Sequence, residues 1–90
     1  MEIRHKGLRQ FALTGSRRGI PAAMASKLRR ILSDLESAGS PTDLPAPAYR
    51  LHRLHGDLAG YWSIRVTGNW RVICRWKNGV AVDIDLVDYH

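Results

Sequence analysis

A chain of 90 residues suits one small domain with a modest core, which we place over residues 1–90. The 14 Lys and Arg residues outnumber the 8 Asp and Glu residues, and the formal net charge is +6. No apolar run approaches the length of a membrane span, and the charged segment MEIRHKGLRQ lacks the apolar stretch of a signal peptide. We therefore expect a cytoplasmic protein that makes no membrane contact.

The positive charge is concentrated in the first third of the chain. Eight of the 14 basic residues fall within residues 1–30, against a single acid, Glu2. This asymmetry indicates a polyanionic partner, either a nucleic acid or an acidic protein. On charge alone, a solvated helix surface explains the pattern equally well.

The start of the chain predicts a short strand and a short helix. MEIRH is a strand candidate with Ile3 as its inward residue. GLRQFALTG then places Leu8 and Phe11 on one side of a helix that ends at Gly15.

A longer amphipathic helix follows the loop SRRGIP, and Pro21 suits its first turn. Its apolar residues recur at helical spacing: Met24, Leu28, Ile31, Leu32 and Leu35. The pattern predicts roughly five turns. The segment AGSPTDLPAP ends this helix, because a glycine followed by three prolines does not continue it.

In the second half the apolar period becomes that of strands. Turns such as Gly68-Asn69 and Asn78-Gly79 separate four runs rich in β-branched and aromatic residues: YRLHRLHG, YWSIRVTG, NWRVICRW and VAVDIDLVDYH. The order of elements predicts an α+β domain. A short N-terminal strand and two helices are expected, with the helices packed on one face of a mainly antiparallel, twisted sheet.

Alternation along the central strands assigns side chains to the two faces of this sheet. The side toward the helices receives Trp62, Ile64, Val66, Trp70, Val72, Cys74 and Trp76. The opposite face receives Ser63, Arg65, Thr67, Arg71, Ile73 and Arg75. We interpret Cys74 as a small core residue rather than a reactive thiol.

The same alternation applies to the two outer strands. In the first, Tyr49 and Leu51 point inward, and we expect a bulge or a strand end near Arg53. In the last, the inward residues are Val80, Val82, Ile84 and Leu86, and the outward residues are Asp83, Asp85, Val87 and Tyr89. Alternation leaves the direction of His90 open, because a bulge would reset the register.

Histidine, arginine, tyrosine and carboxylate on one uncovered sheet face suit the cleavage of a phosphodiester. Without a metal, RNA cleavage needs a base for the 2′-hydroxyl proton, an acid for the departing 5′ oxygen and positive charge at the phosphate. Histidine suits the proton transfers because it titrates near neutrality, and arginine offers a fork of donors that matches phosphate. Each residue alone also fits an ordinary surface position. Arg65 and Arg75 would then be either solvated or paired with Asp83 and Asp85 across the sheet.

Other kinds of site find little support in the sequence. His52 and His55 are three residues apart, but no cysteine or carboxylate cluster completes a metal site. The segment TGSRRG lacks the full spacing and the lysine-serine ending of a phosphate-binding loop, and no serine nucleophile motif is present. We expect no metal and no other cofactor.

Three segments of the chain resemble the HigB toxins of bacterial toxin–antitoxin modules, within the RelE/ParE superfamily: HKGLRQFALTGSRRGI, YRLHRLHGDLAGYWSIRVTGNWRV and DYH. The resemblance implies a RelE-like domain and a ribosome-dependent endoribonuclease that cuts translated mRNA in the A site and so inhibits translation. It also implies a HigA-type helix-turn-helix antitoxin as partner. DNA would be contacted only indirectly, through that antitoxin.

Site residues follow from the same resemblance. The family's active-site residues match His52, Arg71, Asp88, Tyr89 and His90. We expect His52 and His90 to transfer protons and Arg71 to hold the phosphate, with Tyr89 on the nucleotide and Asp88 fixing a histidine tautomer. Further contacts to RNA or the ribosome are expected from Arg65, Arg75, His55, Arg17 and Arg18. His55 stands where relatives often have lysine, and near neutrality it is the weaker cation.

Two other functions fit parts of these observations. ParE-type relatives share the fold and inhibit DNA gyrase without cleaving RNA, so fold alone does not decide the function. A plain nucleic-acid-binding module also fits the charge, but the chain offers neither a helix-turn-helix pair nor a base-stacking motif. The retained set of His52, Arg71 and the segment DYH favours the nuclease.

Overall fold

The computed structural model describes residues 1–88. Two helices come first, α1 (Lys6–Thr14) and α2 (Ala25–Ser37), and a short helix α3 (Ala46–Tyr49) precedes the strands. The strands are β1 (His52–Arg53), β2 (Trp62–Arg65), β3 (Trp70–Lys77) and β4 (Val80–Asp88). They form one antiparallel sheet in the order β1-β2-β3-β4. The predicted α+β class is confirmed.

Helix α1 is capped at both ends. The Nδ1 atom of His5 accepts a hydrogen bond of 3.0 Å from the Leu8 amide, which satisfies one free donor of the first turn. Gly15 ends the helix in the left-handed region, with φ 78°, and its amide donates to the Phe11 carbonyl. Leu8 and Phe11 are buried on one side, as predicted.

Helix α2 packs its predicted apolar stripe onto the sheet. Leu28, Ile31, Leu32 and Leu35 are buried, and Met24 is buried in the 3-10 turn Ala22–Met24 before the helix. Pro21 caps this turn rather than the α-helix, so the regular helix is shorter than five turns. The indole Nε1 of Trp76 donates to the Ala38 carbonyl at 3.1 Å and ties the end of α2 to β3.

The core lies between these helices and one face of the sheet. It contains the helix residues named above together with Ile64, Val66, Val72, Cys74, Ala81, Ile84 and Leu86. Trp70 and Trp76 are half-buried against it. Burial of Cys74 raises the pKa of its thiol to about 12, which agrees with a core role.

The predicted N-terminal strand is present only as an isolated β-bridge. Ile3 forms an isolated parallel bridge with Ile84, and the Arg4 amide donates to the Ile84 carbonyl at 2.7 Å. The start of the chain therefore covers the outer side of β4.

A bulge in β4 makes part of the predicted alternation wrong. Asp83 has φ 51°, and the register shifts there, so that Arg75 lies opposite Val82 whereas Ile73 lies opposite Asp85. One extra residue on β4 reverses the alternation on its N-terminal side. Val80 and Val82 consequently share the face of Arg75, and the small Ala81 points to the core. Beyond the bulge, the predicted inward residues Ile84 and Leu86 are buried.

The predicted first strand is also too long at its start. Tyr49 belongs to α3, because Pro45 and Pro47 stand at its first turn, where proline favours a helix. Arg50 ends this helix in the left-handed region, and β1 then contains only His52 and Arg53. The predicted strand end near Arg53 is confirmed.

Candidate active site

Cross-strand pairing builds two neighbouring rows on the sheet face away from the helices. One row crosses three strands and contains Arg65, Arg71 and Val87. The next row crosses all four strands and contains His52, Ser63, Ile73 and Asp85. The register therefore brings His52, Arg65 and Arg71 onto the same face.

The guanidinium of Arg71 is fixed by the turn that connects β2 and β3. Its Nη1 atom donates to the carbonyls of Thr67 at 2.8 Å, Gly68 at 3.1 Å and Trp70 at 3.3 Å. All of these bonds use one nitrogen of the fork. The side chain is half-buried, and its Nη2 and Nε atoms make none of the hydrogen bonds found for Arg71 within residues 1–88. Arg71 is thus a pre-oriented cation with donors that suit a phosphate oxygen.

His52 lies on β1 with its ring tied to the chain just before it. The Nδ1 atom is 3.0 Å from the Arg50 carbonyl. Because a carbonyl only accepts hydrogen bonds, Nδ1 carries the proton, and in the neutral ring Nε2 is left as the acceptor. Nε2 is then unprotonated, as a general base must be. Because the side chain is exposed, a substrate can reach this atom.

The distance between His52 and Arg71 would allow one to contact a ribose and the other to contact the adjoining phosphate. They lie two strands and two residues apart, which corresponds to about 12 Å between Cα atoms at ordinary strand spacing and rise. Both side chains are long enough to reach a group bound between them. Arg65 lies on the strand between these two residues and adds positive charge at that position.

Two residues of this face are more buried than alternation predicted. Ile73 is 6% exposed and Ser63 is 0% exposed, although neither belongs to the core formed with the helices. The Ser63 hydroxyl has no hydrogen-bond partner within the part of the chain that the structure describes. Alternation assigned Ser63 to the face away from the helices and did not predict its burial. Its position between two apolar residues, in the segment WSI, was the only feature of the sequence that indicated a buried hydroxyl.

The remaining predicted catalytic residues follow at the end of β4. Asp88 is exposed and pairs with Trp70, so the register assigns it to the helix-facing side, one position beyond the partner of Arg71. The predicted positions of Tyr89 and His90 lie outside the described residues.

Arg75 lies on the same face as Arg71 but at the far end of β3. Its Nε atom donates to Oδ2 of Asp83 at 2.5 Å, and its guanidinium lies 5.8 Å from the centroid of the Tyr61 ring. The hydrogen bond to Asp83 raises the pKa of Arg75 further above its ordinary value. Of the two alternatives considered for Arg75, a solvated side chain and a cross-strand pair, the structure shows the pair, with Asp83; the contact of Arg75 with RNA stays a prediction.

Three other predicted RNA-binding residues lie in loops. His55 precedes the 3-10 turn Gly56–Leu58, and Arg17 and Arg18 lie between α1 and α2. All three are exposed. They are not part of the two rows described above, so any contact with RNA would extend the surface beyond the sheet.

Residues 1–88 contain neither a metal-ion cluster nor a membrane-spanning helix. No group of three or more His, Cys, Asp or Glu side chains there is arranged to hold a metal ion. None of the helices in this range combines the length and the apolar character that crossing a bilayer requires.

Comparison with known families gives a match over the whole chain. The profile described as "RelE-like toxin of type II toxin-antitoxin system HigB" matches residues 1–90. Endoribonuclease HigB of Proteus vulgaris is 37% identical over 88 residues, which cover 98% of this chain and 96% of that protein. Toxin HigB-1 of Vibrio cholerae is 38% identical over 85 residues, which cover 92% of this chain and 90% of that protein.

Solved structures agree with the fold. A variant of YafQ from E. coli superimposes with a TM-score of 0.64 at 22% identity, over 97% of this chain and 89% of that one. The YoeB/ParE toxin from Agrobacterium tumefaciens gives a TM-score of 0.56 at 20% identity, over 100% of this chain and 99% of that one. These similarities confirm the predicted RelE-like architecture.

Proposed function

The chain belongs to the HigB family of RelE-like toxins of type II toxin–antitoxin systems, and we propose that it is an endoribonuclease that cuts translated mRNA in the ribosomal A site. The observation that carries this proposal is the common face of His52 and Arg71. On this face, His52 presents an unprotonated ring nitrogen, and Arg71 presents a guanidinium held by backbone carbonyls. The name of the Proteus vulgaris relative, an endoribonuclease, supports the same reaction.

The proposed reaction is a metal-free attack by the ribose 2′-hydroxyl. Nε2 of His52 takes the 2′-hydroxyl proton, and the 2′ oxygen forms a bond to phosphorus while the bond from phosphorus to the 5′ oxygen breaks. His90 gives a proton to the departing 5′ oxygen. Arg71 stabilises the additional negative charge on the phosphate oxygens as this exchange proceeds. The reverse assignment of the two histidines uses the same atoms.

Neighbouring residues would bind and orient the RNA. Arg65 lies between His52 and Arg71 and is assigned to the adjoining phosphate. We assign Tyr89 to stacking on or orienting the nucleotide, and Asp88 to fixing a histidine tautomer. The exposed Arg17 and Arg18 then extend the contact toward ribosomal RNA, with a strong dependence on salt.

The partner of this toxin would be a protein antitoxin. Membership of a type II toxin–antitoxin family implies such a partner. We propose a HigA-type helix-turn-helix protein, which would itself carry the contact with DNA. Ribosomes and mRNA, as the proposed targets, place the activity in the bacterial cytoplasm.

Induced expression with mapping of mRNA 5′ ends tests the proposal. Wild type and the variants His52→Ala, His90→Ala and Lys77→Ala are compared in translating cells. Wild type and Lys77→Ala should cut inside codons, since Lys77 is a cation at the far end of β3 from Arg71. Each histidine variant should cut about 10²-fold less, the usual contribution of one acid or base.

A substituted mRNA tests the nucleophile. Purified toxin and ribosomes programmed with a message bearing one 2′-deoxynucleotide at the cleaved position should leave that message intact. The same message with the deoxynucleotide three positions away should be cut. Growth arrest with intact mRNA and impaired gyrase supercoiling would instead support the ParE-like alternative, which the names of the curated relatives do not favour.

A further inference from the structure

Tyr49 and Asp34 join α2 to the segment that leads into β1. The Tyr49 side chain is 2% exposed, and its hydroxyl donates to Oδ2 of Asp34 at 2.5 Å. Burial and this hydrogen bond raise the pKa of Tyr49 to about 12, so the phenol keeps its proton at neutral pH. The end of α3 is therefore attached to α2 by a polar contact as well as by packing.

Arg50, the residue after Tyr49, has an uncommon backbone conformation. Its φ of 47° and ψ of 46° lie in the left-handed region, which costs energy for a residue other than glycine. The Leu51 amide donates to the Ala46 carbonyl at 3.1 Å and holds this turn. The turn aims the Arg50 carbonyl at Nδ1 of His52, 3.0 Å away.

The sheet by itself restrains His52 weakly. Strand β1 has two residues, lies at the edge of the sheet and pairs only with β2 within residues 1–88. The His52 side chain is exposed, so packing does not select its ring orientation or tautomer. Outside the sheet, the hydrogen bond between Tyr49 and Asp34 holds the chain three residues before His52.

We propose that Asp34 and Tyr49 are positioning residues, which act through the Arg50 carbonyl to keep His52 in the tautomer that leaves Nε2 unprotonated. They touch neither substrate nor reacting atoms. The effect on cleavage depends on the function proposed above. The effect on the tautomer does not.

Nitrogen NMR of the imidazole tests the tautomer directly. Long-range 15N–1H spectra are recorded with the imidazole of His52 in its neutral form, and the ring is assigned by loss of its signals in His52→Gln. Wild type should show a protonated Nδ1 and an unprotonated Nε2. Tyr49→Phe keeps the buried ring but removes the donor, and Asp34→Ala removes the acceptor. Both should shift the nitrogen signals toward a mixture of tautomers, because neutral imidazole in water favours a protonated Nε2.

Two further variants separate positioning from a general loss of structure. Asp34→Asn keeps an oxygen that accepts from Tyr49 and should retain the wild-type spectrum. Tyr61→Phe removes a phenol whose hydroxyl makes no hydrogen bond to α2 in the described part of the chain, and should do the same. Wild-type nitrogen signals in folded Tyr49→Phe and Asp34→Ala would overturn the proposal.

Cleavage kinetics give a second readout. For Tyr49→Phe, kcat should fall about tenfold with KM unchanged, since losing a hydrogen-bond partner that orients a functional histidine has an effect of about this order at metal-bound histidines. A rise in KM alone would contradict positioning of the base. A wild-type protein that cuts no mRNA would overturn the proposed function and leave the NMR result to decide the positioning role.

Discussion

Arg65 on β2 and Arg71 on β3 lie directly opposite each other in the sheet. Like charges at directly opposed positions are destabilising, and neither arginine has an ion pair with a carboxylate of residues 1–88. A phosphate bound between them would relieve this repulsion. This unrelieved repulsion supports the proposal that the pair binds a phosphate.

Replacement of one member of the pair should separate stability from RNA binding. Arg65→Gln should raise the free energy of unfolding by about 0.5 kcal/mol, because one opposed charge is removed. Its affinity for an uncleavable 2′-deoxy-substituted RNA should fall, and the slope of log affinity against log salt should decrease by about 1. Urea unfolding and filter binding at several salt concentrations measure the two effects. A lower stability with an unchanged salt slope would contradict a phosphate contact, and Lys77→Gln serves as the control for loss of an exposed charge.

Periodicity predicted most of this fold because the core is made by repeated local choices. The stripe of Leu28, Ile31 and Leu35 determines the buried side of α2, and alternation around Val72 and Cys74 determines the helix-facing side of β3. These patterns follow from the geometry of a helix and of a strand. They also predicted correctly that Arg65 and Arg71 share one face of the sheet.

The predictions from sequence were wrong or incomplete where one backbone torsion, or one contact between residues distant in sequence, determines how a side chain is oriented. The left-handed Asp83 reverses the faces of Val80 and Val82, and nothing in the alternation of VAVDID indicates it. The contact between Asp34 and Tyr49 spans 15 positions in sequence, and its hydrogen bond depends on how α3 packs against α2. The site was predictable as a set of residue types, but the geometry that orients His52 was not.

Ser63→Ala should stabilise the protein. The Ser63 hydroxyl is fully buried and has no hydrogen-bond partner among residues 1–88, so it carries a desolvation cost without a compensating bond. Removing it should raise the free energy of unfolding by about 1 kcal/mol. Urea unfolding measures this, with Ser33→Ala at an exposed position of α2 as a control that should raise stability by no more than about 0.5 kcal/mol, the gain in helix propensity. Destabilisation by Ser63→Ala would indicate that the hydroxyl makes a bond in solution.

Gly7→Ala should be strongly destabilising. A Cβ at Gly7 would lie 2.3 Å from the Gly19 carbonyl oxygen, and this is a contact between two backbones that no side-chain rotation relieves. The expected loss is about 3 kcal/mol in the free energy of unfolding, at the upper end for overpacking. Gly68→Ala is the control, because a Cβ there meets no atom within 4 Å and its φ is not in the left-handed region. Equal stability of the two variants would show that α1 and the loop before α2 separate easily.

Alkaline unfolding should depend on Cys74. Burial raises the pKa of this thiol from 9.0 to about 12, so above pH 9 the unfolded chain loses a proton that the folded protein retains. The stabilisation is complete below pH 9 and is lost as the pH rises toward 12, by about 1 kcal/mol between pH 9 and pH 10.

The comparison of wild type with Cys74→Ala isolates this contribution. The variant should be less stable at pH 7, because a buried side chain has been shortened, but its stability should fall less steeply above pH 9. Tyr49 also titrates with a raised pKa, but it is present in both proteins and cancels in the difference. Urea unfolding with reductant from pH 7 to pH 10 gives the two curves. Curves that stay parallel to pH 10 would mean that the Cys74 thiol ionises as readily in the folded protein as in the unfolded chain.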